Sequence, residues 1–143
     1  MTKNNSHVPY IIVLVRVQDG GFTYTSSQKQ NCQDTFEKLK ISKKVSSIAI
    51  VDPASKQQWI VDASPDFKDQ LYNLQKQTGT YSLDGILLTH AHMGHYLGLV
   101  YLGKEAMNSE KIKVFCMKRM LNFLSNNGPW DCLLYTSPSP RDS

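Results

Sequence analysis

Apolar and polar positions fall into short blocks along this chain, and the period of each block predicts an element. Tyr10–Val17 is a β-branched apolar run interrupted only at Arg16, which predicts a strand buried on both faces. A turn at Asp19-Gly20-Gly21 and a polar, irregular stretch follow it. Val45–Val51 and Gln57–Ala63 are predicted strands, joined through Asp52–Lys56 by a hairpin-type connection. Ser64-Pro65-Asp66 then opens a helix. Ser64 serves as its N-cap, Pro65 suits the first helical position, and Asp66 and Asp69 lie at the positive end of the dipole. Phe67, Leu71 and Leu74 recur at i, i+4 and i+7 as one apolar stripe, and Gly79 stops the helix. Gly85–Thr89 predicts a short buried strand that runs directly into His90. Leu97–Ala106 predicts a helix, Lys113–Met117 a strand, and Lys118–Leu124 a helix stopped by Gly128-Pro129. No internal repeat interrupts the order β, ββ, α, β, α, β, α, which predicts an α/β (α+β) sandwich.

Composition narrows the class. Of the 143 residues, 41% are hydrophobic and 20% charged, which fits a folded globular chain and excludes a fibrous or disordered one. The longest apolar run, Ile11–Val15, is too short for a membrane span or a secretory leader, so the expectation is no membrane partner and a cytoplasmic location. The 16 basic and 12 acidic residues leave a net charge of +4. Basic residues are scattered except in Lys38–Lys44, which reads as a solvated face, and no aromatic-studded stripe accompanies them. Nucleic acid is therefore not an expected partner. Cys32, Cys116 and Cys132 form no C-x-x-C pair; Cys32 and Cys116 read as small packing residues.

The tail needs separate treatment. Cys132 through Asp142 resembles, without a mismatch, the translation of the transposase mosaic-end adapter used in sequencing libraries. The expectation is that residues 132–143 are not native, that 1–9 are a disordered N-terminus, and that 10–131 are part of one domain.

Chemistry concentrates in Thr89-His90-Ala91-His92-Met93-Gly94-His95. In extended backbone, residues i and i+2 point the same way, so His90 and His92 can address one point. His95 follows at the entrance of a helix, from where it can point back to the same region. A lone histidine reads as a polar loop residue. H-x-H-x-x-H at the C-terminal end of an apolar strand instead points to metal binding, because neutral imidazole nitrogens are ligands for zinc, iron and manganese.

The run Leu87-Leu88-Thr89-His90-Ala91-His92-Met93-Gly94-His95-Tyr96-Leu97-Gly98-Leu99 resembles the metal-binding segment of the metallo-β-lactamase fold, T-H-x-H-x-D-H-x-x-G. Trp59–Ala63 resembles the strand upstream of it. Val13–Gly21, with Cys32 beyond, and Asn127-Gly128-Pro129-Trp130 resemble the branch related to pyrroloquinoline-quinone biosynthesis protein B. The resemblance covers residues 10–131 and implies the N-terminal portion of a truncated αββα sandwich, with metal at the sheet edge. By position, His90 and His92 would hold a first ion and His95 a second. Gly94 stands where the motif has aspartate, which makes a single or altered site the expectation. Asp62 would accept a hydrogen bond that orients the loop or a histidine.

The implied ion is zinc, one or two in the intact protein, with iron or manganese also compatible. The implied function is metal-dependent hydrolysis of a small-molecule substrate. The remaining ligands of this superfamily lie in the second half of the sandwich, and His7 is a poor substitute for them. The chain alone is therefore expected to bind metal weakly and to be inactive. The alternative is a non-hydrolytic part in pyrroloquinoline-quinone biosynthesis, oxygenase-like or as a carrier.

Overall fold

The computed structural model describes residues 7–16, 44–79, 82–103, 106–107 and 112–131. The turn at Asp19-Gly20-Gly21, Cys32, the basic residues Lys38–Lys43 and the tail 132–143 lie outside the described residues. Five strands, β1 (Tyr10–Val15), β2 (Ser47–Asp52), β3 (Gln57–Val61), β4 (Gly85–Leu87) and β5 (Lys113–Phe115), lie side by side in chain order. The pairs β1–β2 and β2–β3 are antiparallel, whereas β3–β4 and β4–β5 are parallel. Helices α1 (Phe67–Thr78), α2 (Met93–Tyr96) and α3 (Lys118–Ser125), with a 3-10 turn at Leu97–Leu102, complete the described elements. The architecture is mixed α/β, as expected.

Alternation along the strands sorts side chains onto two faces. Ile12, Ala49, Ile60, Ile86 and Val114 share one row of the register. On that face Ala49, Ile60 and Ile86 are fully buried with Phe67, Leu71 and Leu74 of α1, Leu99 and Leu102 of the 3-10 turn, and Met120 and Leu124 of α3. Full burial of each larger side chain contributes about 1.5–3 kcal/mol, so the predicted Phe67/Leu71/Leu74 stripe is the main attachment of α1. The neighbouring row, Val13, Ile48, Val61, Leu87 and Phe115, points to the opposite face. That face is apolar as well, yet Ile11 is 63% exposed and Val13 55%.

β1 is therefore not the doubly buried strand that its composition predicts. It ends at Val15 and lies at the sheet edge, with Tyr10, Ile12 and Leu14 packed on the helical side. The hairpin is as expected. Asp52 accepts the Ala54 N–H at 2.9 Å and the Ser55 hydroxyl at 2.7 Å, and the Ser55 bond holds its carboxyl below the usual range.

α1 begins at Phe67, later than the Ser64 cap predicts, and its N-cap Asp66 makes no side-chain cap bond. Ser64 instead organises the turn before the helix. Its hydroxyl accepts the Asp66 N–H at 3.1 Å and donates to Gln70 Oε1 at 2.8 Å, while Gln70 Nε2 donates to Val45 O at 2.7 Å. Asp66 accepts the Val45 N–H at 2.8 Å, and Lys44 pairs with the exposed Asp69 at the surface. Gly79 closes α1 at φ 71°, the left-handed conformation expected of a glycine C-cap.

Where a helix is predicted from Leu97, the chain forms the 3-10 turn over Leu97–Leu102, preceded by the short α2. The Ala63 N–H donates to His95 O and the Gly98 N–H to Ala63 O, both at 2.8 Å. Those bonds pin the junction of α2 and the 3-10 turn to the corner between β3 and α1.

Candidate metal centre

Parallel pairing of β3 with β4 brings their C-terminal ends to the same sheet edge, so Asp62 and Thr89 meet although distant in sequence. Such an edge is where open α/β sheets place their ligands. Asp62 follows β3 with φ 67°, a left-handed conformation that aspartate tolerates better than most residues. The turn aims its carboxylate, within a residue only 7% exposed, along the end of β4. Asp62 Oδ1 accepts the Thr89 N–H at 2.8 Å, and the Thr89 hydroxyl lies 2.9 and 2.8 Å from Oδ1 and Oδ2. His95 Nδ1 donates to Oδ2 at 2.7 Å. One buried carboxylate thus holds both ends of the histidine segment.

The three histidines are brought together. His90 and His92 are exposed at the sheet edge, and His95 is buried beneath them on α2. His90 Nε2 lies 3.1 Å from His92 Nδ1, with the rings steeply inclined at 74° and centroids 4.6 Å apart. The His90 and His95 centroids are 4.1 Å apart. Thr89 Oγ1 lies 2.9 Å from His90 Nδ1. A tetrahedral zinc with Zn–N bonds of about 2.0–2.1 Å spaces its ligand atoms about 3.3 Å apart. The His90/His92 nitrogen pair fits that spacing, and imidazole is a fitting donor.

The set is not closed. Among the described residues no group of three or more His, Cys, Asp or Glu side chains is arranged to hold an ion. Gly94 is buried and contributes no side chain where the motif has aspartate. His7 is exposed in the N-terminal stretch.

Gly98 and Thr89 are the residues whose roles sequence reasoning missed. A Cβ on Gly98 would lie 2.2 Å from Ser64 O and 2.7 Å from Phe67 Cβ, so only glycine lets the segment after His95 press against the β3–α1 corner. Both occupy fixed places in the T-H-x-H-x-D-H-x-x-G pattern, which was the available signal. Behind α2, Tyr96, Phe123 and Trp130 form an aromatic cluster with centroids 5.1 to 6.0 Å apart. Trp130 of the predicted Asn127–Trp130 motif packs there. Cys116 is half-buried against the core, as a packing residue should be, and burial pushes its thiol up. No described helix is long and apolar enough to cross a membrane.

Fold and site together define a member of the beta-lactamase superfamily: residues 58–135 match the family described as the beta-lactamase superfamily domain, and the chain belongs to it. Among solved structures, the fold is similar to that of Zn2+-bound PqqB from Methylobacterium extorquens, with a TM-score of 0.73 and 18% identity. It is also similar to a diphosphatase from the PhnP family, with a TM-score of 0.63 and 16% identity. Each comparison covers 92% of this chain, but 48% of the PqqB chain and 49% of the diphosphatase. The chain thus spans about half the length of these neighbours. No curated protein matches it by sequence.

Proposed function

We propose that this chain supplies the histidine-bearing half of a metal-dependent hydrolytic site, in which His90, His92 and His95 hold a divalent ion, zinc first. The observation that carries the reading is the gathering of three imidazoles at the C-terminal ends of parallel strands, with the Asp62 carboxylate holding His95 directly. A divalent ion there would supply Lewis acidity, which makes water a competent nucleophile near pH 7. His90 offers Nε2 and His92 offers Nδ1, since those are the atoms facing each other. Asp62 holds Nδ1 of His95, which leaves Nε2 as the only nitrogen of that ring able to bind metal. The absence of a carboxylate at Gly94 favours one ion over two. Further ligands belong to the half of the fold that the larger neighbours have and this chain does not span.

The substrate is a small molecule carrying a hydrolysable ester, amide or phosphodiester. A second reading, a non-hydrolytic part in pyrroloquinoline-quinone biosynthesis, is favoured by Gly94, because the missing carboxylate weakens water activation. Zinc titration and turnover by the intact protein separate the two. The hydrolytic reading expects phosphodiester or lactam hydrolysis that a chelator abolishes and His92→Ala removes. Bound iron without hydrolysis would favour the second reading. An intact protein that binds no divalent ion would overturn both. The 143-residue chain is expected to bind zinc weakly without turnover, and tight stoichiometric zinc with turnover would refute that part.

A further inference from the structure

We infer that Thr89 is a positioning residue that sets the tautomer of His90, with Asp62 directing its hydroxyl. The inference rests on the metal-site reading for its purpose but on hydrogen-bond geometry for its content. Thr89 Oγ1 has one proton and three neighbours within hydrogen-bond distance: Asp62 Oδ1 at 2.9 Å, Asp62 Oδ2 at 2.8 Å and His90 Nδ1 at 2.9 Å. An ionised carboxylate can only accept. Were the hydroxyl to donate to His90, its lone pairs would face two carboxylate oxygens of the buried Asp62 with no proton between, a repulsive arrangement. The hydroxyl therefore donates to Asp62 and must accept from His90, which places the proton of that ring on Nδ1.

The consequence appears at the other nitrogen. A neutral imidazole with its proton on Nδ1 carries its lone pair on Nε2. Nε2 faces His92 Nδ1 at 3.1 Å, so in the metal-free chain His92 Nδ1 is the donor to that lone pair, and an ion bound between the rings would take the place of its proton. An unconstrained histidine favours the opposite tautomer, so Thr89 holds His90 in the less common form, ready to bind. Asp62 therefore acts on His95 directly and on His90 through one hydroxyl. No ring gains or loses charge in this arrangement; only the site of one proton is fixed.

The test is long-range 1H–15N correlation NMR of the metal-free 143-residue chain with 15N-labelled histidine. It is run at pH about 8, above the ordinary imidazole range, with the His90 signal assigned by its loss in His90→Asn. In the parent chain His90 is expected to show a protonated Nδ1 and a lone-pair Nε2. Thr89→Val, which keeps the shape and removes the hydroxyl, should move His90 to the Nε2–H form or an even mixture. Thr89→Ser should restore the parent pattern, and Asp62→Asn should weaken it. Removing such an outer hydrogen-bond partner typically costs about 10- to 100-fold in metal affinity, which zinc competition with a chromophoric chelator reads in the Thr89→Val chain.

A parent chain with His90 protonated on Nε2 overturns the inference, as does Thr89→Val with an unchanged tautomer. If Thr89→Val does not fold, the parent and Thr89→Ser spectra still decide. The Nδ1–H tautomer in the 143-residue chain keeps the positioning role whatever its zinc affinity, whereas an intact protein that takes up no divalent ion sinks the metal reading alone. Zinc uptake with the wrong tautomer does the reverse.

Discussion

Gly98→Ala is the sharpest mechanical probe of the way this site is held. The added Cβ would meet Ser64 O at 2.2 Å, Phe67 Cβ at 2.7 Å and Ala63 C at 2.9 Å, where ordinary contact begins at 3.4 Å. None of these neighbours is the far end of a flexible side chain. Two are backbone atoms of the corner between β3 and α1, so the overlap of roughly 1 Å cannot be relieved by a rotamer change. The segment from His95 through the 3-10 turn must move outward instead. The bonds from Ala63 N–H to His95 O and from Gly98 N–H to Ala63 O, both 2.8 Å, would be stretched. Overpacking of this kind costs about 1–3 kcal/mol, and lost backbone bonds push the figure toward the top of that range. For a chain of this size about 3 kcal/mol lowers Tm by roughly 10 °C. Gly79→Ala is the control: its Cβ meets nothing within 4 Å, and its cost is the left-handed backbone alone, about 1 kcal/mol. Thermal unfolding followed by circular dichroism compares the two. A Gly98→Ala chain that melts within 2 °C of the parent, or above Gly79→Ala, would refute the wedge argument.

Two further outcomes follow from buried polar groups. Gln70→Leu removes the amide that bridges Ser64 and Val45, leaving the Val45 carbonyl and the Ser64 hydroxyl without that partner. Urea unfolding should show a loss of about 1–3 kcal/mol, and an unchanged midpoint would contradict the role assigned to that amide. Burial raises the pKa of Cys116, so less thiolate is present at any pH below it and alkylation is slowed. Peptide-resolved iodoacetamide labelling at pH about 8 should be slower in the folded chain than in urea. Equal rates would remove the burial argument.

Where local pattern decides, the fold was legible. The β2–β3 hairpin, the Phe67/Leu71/Leu74 stripe and the Gly79 cap follow from alternation, helical spacing and the freedom of one glycine. β1 was misread because apolarity records what a strand is able to bury, not what covers it; Ile11 and Val13 lie on the face away from the helices. Where a helix was predicted from Leu97, the chain winds as a 3-10 turn over Leu97–Leu102, and its start is tied to the β3–α1 corner by the bond from the Gly98 N–H to Ala63 O. At the site, His90, His92 and His95 were legible from spacing, and Asp62 from resemblance. Thr89 and Gly98 hold fixed places in the motif but their roles were not legible, since one acts by sitting between a carboxylate and an imidazole, and the other by having no side chain. Neither property exists until β3 and β4 lie side by side.

The turn at Asp62 has a consequence for how freely this corner could vary. Replacing it with glycine would ease the backbone at φ 67° but leave Thr89 and His95 without their acceptor. Glutamate would keep the charge but carry it a methylene too far, on a residue less at ease in that conformation. Backbone path and proton placement are thus inherited together from one residue, and neither glycine nor glutamate satisfies both demands.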